Sequence, residues 1–182
     1  MEIKELSLKG VYEITPKVFE DKLRGGFFME NYKKAELEEA GIHIDFIQDN
    51  HSQSTKGVLR GLHFQKPPFT QDKLCRVVRG EVLDVFVDLR KDSPTFGKSG
   101  SIVLSETNKK AVLVPKGFAH GFLVLSDIAD FEYKISALYS PENEGGIVWN
   151  DPALQIDWGI TDPIVNDRDA KLPLLKDLNS PF

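Results

Sequence analysis

Lys73-Leu74-Cys75-Arg76-Val77-Val78-Arg79-Gly80-Glu81-Val82-Leu83-Asp84-Val85-Phe86-Val87-Asp88-Leu89 holds two strand-like runs back to back. Leu74 to Val78 alternates loosely between apolar and polar side chains, the period of a strand with one covered face. Val82 to Leu89 is rich in Val, Leu and Phe and is bounded by Gly80 and Pro94, which reads as a second strand. Arg79-Gly80 between them predicts a hairpin turn. The same pattern recurs on either side. Ile42 to Ile47 alternates, and Ile102 to Leu104, Ala111 to Val114, Phe122 to Leu125 and Phe131 to Tyr139 are short apolar runs ended by Gly, Pro, Ser, Asn or Asp. Residues 30–40, Glu-Asn-Tyr-Lys-Lys-Ala-Glu-Leu-Glu-Glu-Ala, are good helix formers followed by Gly41, and predict the one clear helix. Many short strands with little helix predict an all-β chain, an antiparallel sandwich or jelly roll with a few short helices. A jelly roll leaves a cleft where inward side chains from several strands meet.

The whole chain, 182 residues and 41% apolar, has the size of one domain, residues 1–182, around one core. Its net charge of −5 is the wrong sign for a nucleic-acid-binding surface, although local positive charge inside a pocket stays open. Cys75 is the only cysteine, so no internal disulfide forms, which fits a reducing compartment. The segment Met1-Glu2-Ile3-Lys4-Glu5 lacks the apolar stretch of a signal peptide, and no apolar run approaches the ~20 residues of a membrane span. A soluble, cytoplasmic protein with no membrane or nucleic-acid partner is expected. Irregular surface structure is expected for the last fifteen residues.

Chemistry-bearing residues gather in five motifs. The first is Val58-Leu59-Arg60-Gly61-Leu62-His63-Phe64-Gln65. The second runs from Gln71 through Lys73 to Asp84. Then come Ser93-Pro94-Thr95-Phe96-Gly97, Pro115-Lys116-Gly117-Phe118-Ala119-His120-Gly121-Phe122 and Trp149-Asn150-Asp151-Pro152. In this order they closely resemble the dTDP-4-dehydrorhamnose 3,5-epimerase family of the cupin superfamily, over roughly residues 10–170. The resemblance implies a cupin-type jelly roll, a homodimer, no cofactor, and a dTDP-linked 4-keto-6-deoxyhexose as substrate. It also implies proton exchange at C3 and C5, on either side of the C4 ketone.

That chemistry can be weighed residue by residue. Removing a proton next to a ketone needs a base and a positive group beside the oxygen that gains charge. His63 matches the family's base, since imidazole accepts and returns protons near neutrality; on residue type alone a structural histidine on a strand is the better reading, and the Arg60-Gly61-Leu62-His63 context reverses it. Asp169 matches the carboxylate that orients such a base. Lys73 matches the cation for the enolate, provided that the strand face it shares with Cys75 and Val77 points inward, and Asp84 is available to pair with it. Tyr133 matches the proton donor on the opposite side of the sugar ring; Phe131, Tyr133, Ile135 and Tyr139 share strand parity and should line one face. Tyr139 matches the aromatic that stacks on thymine, and His120 a substrate contact suited to polarising the keto oxygen, with a structural hydrogen-bonding histidine as the alternative reading.

Arg60 suits the diphosphate, because a guanidinium binds two oxygens at once. Arg60 and His63 are three residues apart, so a regular strand would point them to opposite faces; a bulge at Gly61 is predicted to turn both inward. Arg24, Phe27 and Glu30 resemble a family segment that crosses to the partner subunit's site, although Gly25-Gly26 carries one residue more than usual. Gln48, Asn50, Glu144 and Arg168 match further substrate-contact positions, with Arg168 where lysine is usual. Asp72 stands where glycine is common, and Gly159 where proline is usual.

Three rival readings follow from the same residues. An epimerase acting at C3 or C5 only, or a ketoisomerase, would use the same base and lysine. A metal-dependent cupin would need a His-x-His pair, but His63 is followed by Phe64 and Gln65, and His43, His51 and His120 make no short-spaced pair, so no metal is expected. A non-catalytic sugar-nucleotide-binding module would need Arg60 and the aromatics but not His63 or Tyr133.

Overall fold

The computed structural model describes residues 1–182. In chain order the elements are β1 (Glu2–Glu5), β2 (Tyr12–Thr15), β3 (Val18–Asp21), β4 (Gly26–Met29), α1 (Lys34–Glu39), β5 (Gln48–Thr55) and β6 (Leu59–Gln65). Then follow β7 (Lys73–Arg79), β8 (Glu81–Asp88), β9 (Ser99–Ser105), β10 (Ala111–Val114), β11 (Phe118–Val124), β12 (Ile128–Ile135) and β13 (Glu144–Gly146). A six-stranded sheet, β1-β2-β10-β7-β12-β5, faces a five-stranded sheet, β13-β6-β11-β8-β9. All pairings within the two sheets are antiparallel. This is the jelly roll that the short-strand pattern predicts.

The core between the sheets explains that pattern. Val82 and Phe86 of β8, Cys75 and Val77 of β7, Phe122 of β11 and Phe131 of β12 meet there. On β8 the alternate residues Val85 and Val87 join a second apolar cluster on the outer face of the five-stranded sheet, with Ile147, Leu154 and Trp158. With both faces covered, β8 reads as a continuous apolar run rather than an alternating one. A third cluster, including Leu37 of α1, Ile42 and Leu74, covers the outside of the six-stranded sheet.

Four expectations are corrected. Arg79-Gly80 makes no hairpin: β7 and β8 lie in different sheets, and the chain crosses between them at Gly80. There φ is +78°, and a Cβ would sit 2.1 Å from the Ile128 carbonyl oxygen, so only glycine makes the corner. Ile42 to Ile47 belongs to no strand; Ile42 packs with α1 instead, and the strand begins at Gln48. The helix is shorter than residues 30–40 suggest, at Lys34–Glu39, with Gly41 at φ +80° just beyond its end. The last residues are irregular but not merely superficial. Ser180 is buried and hydrogen-bonds Leu89, Phe182 packs on Phe64 with ring centroids 5.4 Å apart, and Asp169 is fully buried.

No helix is long and apolar enough to cross a membrane.

Candidate active site

A cavity of about 520 Å³ is walled by both sheets. The five-stranded sheet supplies Arg60, His63 and His120; the six-stranded sheet supplies Lys73, Tyr133, Gln48 and Asn50. Tyr139, Glu144 and Arg168 close the rim, and the buried Asp169 also lines the cavity. Eleven of the fourteen site residues predicted from sequence thus share one cavity.

Arg24, Phe27 and Glu30 do not. They lie on or beside the β3–β4 ribbon, which pairs with neither sheet. Arg24 bonds Asp21, Phe27 lies under Lys109 Nζ, and Glu30 pairs with Lys33. Within this chain they are exposed and stand apart from the cavity.

The bulge sits where the three-residue spacing requires it. His63 is opposite His120 and Arg60 opposite Phe122, so one extra residue stands on β6. Gly61 takes φ +129°, and a Cβ there would lie 2.6 Å from Gly121 Cα. Both Arg60 and His63 therefore reach the cavity, with Arg60 steadied by Ser54 Oγ at 3.0 Å.

His63 Nε2–H donates to Asp169 Oδ1 at 2.7 Å, and the Gly61 N–H donates to Asp169 Oδ2 at 3.1 Å. With Nε2 so committed, Nδ1 is the lone-pair nitrogen of the neutral ring. Burial pushes the Asp169 carboxyl upward, but the His63 and Gly61 hydrogen bonds and the nearby Arg168 charge outweigh it and hold the group below its ordinary value. Asn166 fixes the turn carrying Asp169 by accepting its backbone N–H at 2.8 Å.

Tyr133 stands on the facing sheet from His63. Burial raises its phenol above the ordinary value, with Cys75 adding and Arg60 opposing, so at neutral pH it keeps a proton to give. Lys73 shares the inward face with Cys75 and Val77, as its functional reading requires. Burial lowers Lys73, opposed by Cys75, Asp84 and Glu144.

Asp84 departs from expectation: its direct partner is not Lys73 but His120, whose Nε2 lies 2.9 Å from both carboxylate oxygens. Tyr139 also needs correction. β12 ends at Ile135, so strand parity does not carry Tyr139 to the cavity. The loop does, anchored by Gln65 Nε2–H bonds to the carbonyls of Phe69 and Leu138 and by Gln71 Nε2–H to that of Ala137. At the rim, Tyr139 O–H donates to Glu144 at 2.7 Å, and Arg168 holds the same carboxylate at 3.0 Å.

Gln65, Gln71 and Asn166 also line the cavity and escaped the sequence reading. Gln65 and Gln71 lie within or beside the motifs already singled out, and that was their only signal; Asn166 had none.

Comparison with known proteins places the chain in a family and among solved structures of the same fold. The family described as dTDP-4-dehydrorhamnose 3,5-epimerase matches residues 5–177. A dTDP-4-dehydrorhamnose 3,5-epimerase of Shigella flexneri is 50% identical, over 93% of each chain. The crystal structure of the enzyme of that name from Elizabethkingia anophelis superposes with a TM-score of 0.93 at 47% identity, covering 98% of both chains. A dTDP-6-deoxy-D-glucose-3,5-epimerase from Legionella pneumophila, solved in complex with dTDP-4-keto-L-rhamnose, gives 0.92 at 46% identity, covering 98% of this chain and 94% of that one. A cleft holding a carboxylate-bound histidine and a protonated tyrosine on facing sheets, within a chain so close to these enzymes over its whole length, belongs to the dTDP-4-dehydrorhamnose 3,5-epimerase family.

Proposed function

We propose that this chain, acting as one domain, converts dTDP-4-dehydro-6-deoxy-D-glucose to dTDP-4-dehydro-L-rhamnose by inverting C3 and C5. The observation that carries the mechanism is the placement of His63 and Tyr133 on facing sheets of one cavity. Inversion needs one group to take a proton from one side of the sugar ring and another to return a proton from the other side.

His63 Nδ1 takes the proton next to the ketone, and Asp169 stabilises the imidazolium that results. Lys73 and His120 face the C4 oxygen as it gains charge. Tyr133 delivers the proton from the opposite wall. Both reacting carbons flank the same ketone, so one enolate-stabilising set serves both. Arg60 and Arg168 meet the diphosphate, Tyr139 stacks on the thymine, and Gln48, Asn50 and Glu144 complete the nucleotide-sugar contacts. Proton transfer between carbon and side chains needs no resident cofactor.

The working form is a cytoplasmic homodimer. The β3–β4 ribbon supports this reading: Phe19, Phe27, Phe28 and Leu23 are exposed together on it, and a second copy would cover them. In that assembly Arg24, Phe27 and Glu30 reach the partner's cavity. Sedimentation should give twice the chain mass, and monomeric behaviour would remove the ribbon from the site.

The test of the chemistry is His63→Asn. It should abolish deuterium exchange at C3 and C5 while dTDP still binds. Exchange at the parent rate would refute His63 as the base.

A further inference from the structure

Cys75, Asp84 and His120 form a second constellation, behind the cavity wall and on three different strands: β7, β8 and β11. Cys75 and Asp84 are wholly buried, while His120 lines the cavity. One ligand-type atom from each lies within 4.8 Å of the other two. Cys75 Sγ is 4.0 Å from His120 Nε2, which is 2.9 Å from Asp84. The epimerisation proposed above makes no use of the Cys75 thiol.

We propose that this trio binds one soft divalent cation of the zinc type, entering from the cavity, and that its occupation arrests the enzyme. A thiolate, an imidazole and a carboxylate are the donors that zinc and cobalt select. Bonds of about 2.0 to 2.3 Å in tetrahedral array place neighbouring ligands roughly 3.4 to 3.6 Å apart. Two of the present separations, 2.9 and 4.0 Å, straddle that range and the third is within 4.8 Å, so side-chain shifts on the order of 1 Å complete the site. Three ligands leave a fourth position open toward the cavity, the form of an exchangeable zinc site. Magnesium, which keeps its waters and prefers oxygen, is not accommodated.

Charge balance agrees. The metal-free site holds one wholly buried thiol beside one wholly buried carboxyl group. On binding, the S–H bond gives way to an S–metal bond and the proton leaves to solvent. Thiolate and carboxylate then neutralise the dication, as a dry site demands. The arrest rests on the function proposed above. The metal occupies His120 and Asp84, and cancels the negative charge that Asp84 holds near Lys73, which lies two residues from Cys75 on the same inward face.

Cobalt(II) titration of metal-free protein, without substrate, tests the site. The expected result is a thiolate-to-cobalt charge-transfer band that saturates at one equivalent per chain and is absent in Cys75→Ser. Cys75→Ala serves as a second thiol-free variant that adds no hydroxyl to the core. One equivalent of zinc should slow C3 and C5 exchange at least tenfold in the parent, reversibly with chelator, and leave Cys75→Ser unaffected. No band in the parent, a band retained without the thiol, or equal inhibition of parent and variant would overturn the proposal. The cobalt band reports on the site even in a chain that epimerises nothing, so failure of the site and failure of the functional reading are separable.

Discussion

Replacing Asp169 with Asn removes one charge and almost no volume, and it isolates what the buried carboxylate does for His63. Asp169 is fully buried and accepts hydrogen bonds from His63 at 2.7 Å and Gly61 at 3.1 Å. An amide oxygen can still accept from Gly61, so the bulge survives and the fold should change little. The loss falls on the imidazolium formed as the sugar proton is taken. A hydrogen bond to a charged group contributes about 1.5–3 kcal/mol. If that stabilisation is realised only in the transition state, proton removal slows at least roughly 10- to 150-fold, and further because the new amide NH2 facing His63 Nε2 drives the ring hydrogen onto Nδ1. Asp169 acts through His63 and is not a nucleotide contact, so kcat should fall while KM and dTDP affinity hold. The assay is deuterium wash-in at C3 and C5 followed by proton NMR, with calorimetry of dTDP binding alongside. Parent-rate exchange in Asp169→Asn would refute the pairing, and so would a loss of dTDP binding large enough to account for the slower rate.

Tyr133→Phe keeps the ring and removes the proton, so completed inversion should slow more than exchange of the first proton. Equal slowing of both, seen by comparing wash-in with product formation, would argue against a donor role. Gly61→Ala forces a Cβ to within 2.6 Å of Gly121 Cα at φ +129°; strain of this kind costs about 1–3 kcal/mol. Thermal melting should show that loss, and KM and kcat should both suffer as Arg60 and His63 turn away. Asp88 is a structural counterpart. Burial pushes its carboxyl up, but hydrogen bonds from Arg90, Ser93 and Thr95 prevail and hold it at about 2. Because this folded value is depressed, its stabilisation is full above the ordinary carboxyl range and disappears as pH falls toward 2. Asp88→Asn should therefore cost about 2 kcal/mol near neutrality, with the gap to the parent closing between about pH 4 and pH 2; urea unfolding with a pH-independent gap would contradict this.

Sequence made some parts of this molecule plain and hid others for physical reasons. β8 and β12 were readable because burial there demands Val, Leu, Phe and Ile. β5 was not, because Gln48–Thr55 is a polar edge strand with little to bury, while the better alternation of Ile42 to Ile47 is spent on packing beside α1. The Arg79-Gly80 corner looked like a hairpin because a glycine turn carries no mark of which sheet its second strand will join.

Within the site, the three-residue spacing of Arg60 and His63, once the resemblance put both in the cavity, correctly required a bulge between them. Asp169 could be found only by resemblance. It lies 106 residues from His63, and no periodicity links a terminal turn to a strand. The approach of Cys75 and Asp84 to His120 was equally invisible, since their spacing matches no short motif and only the packing of two sheets brings them together. Pairing Asp84 with Lys73 was a reasonable expectation from inward parity. The structure gives Asp84 to His120 instead, because that imidazole projects from the adjacent strand β11 of the same sheet.

The most direct test of the central claim is proton NMR in deuterated water, with dTDP-4-keto-6-deoxyglucose and purified enzyme without added metal. Inversion at both carbons predicts loss of the C3 and C5 proton signals together with appearance of the lyxo-configured product. Exchange confined to one carbon, or no exchange at either, would contradict it.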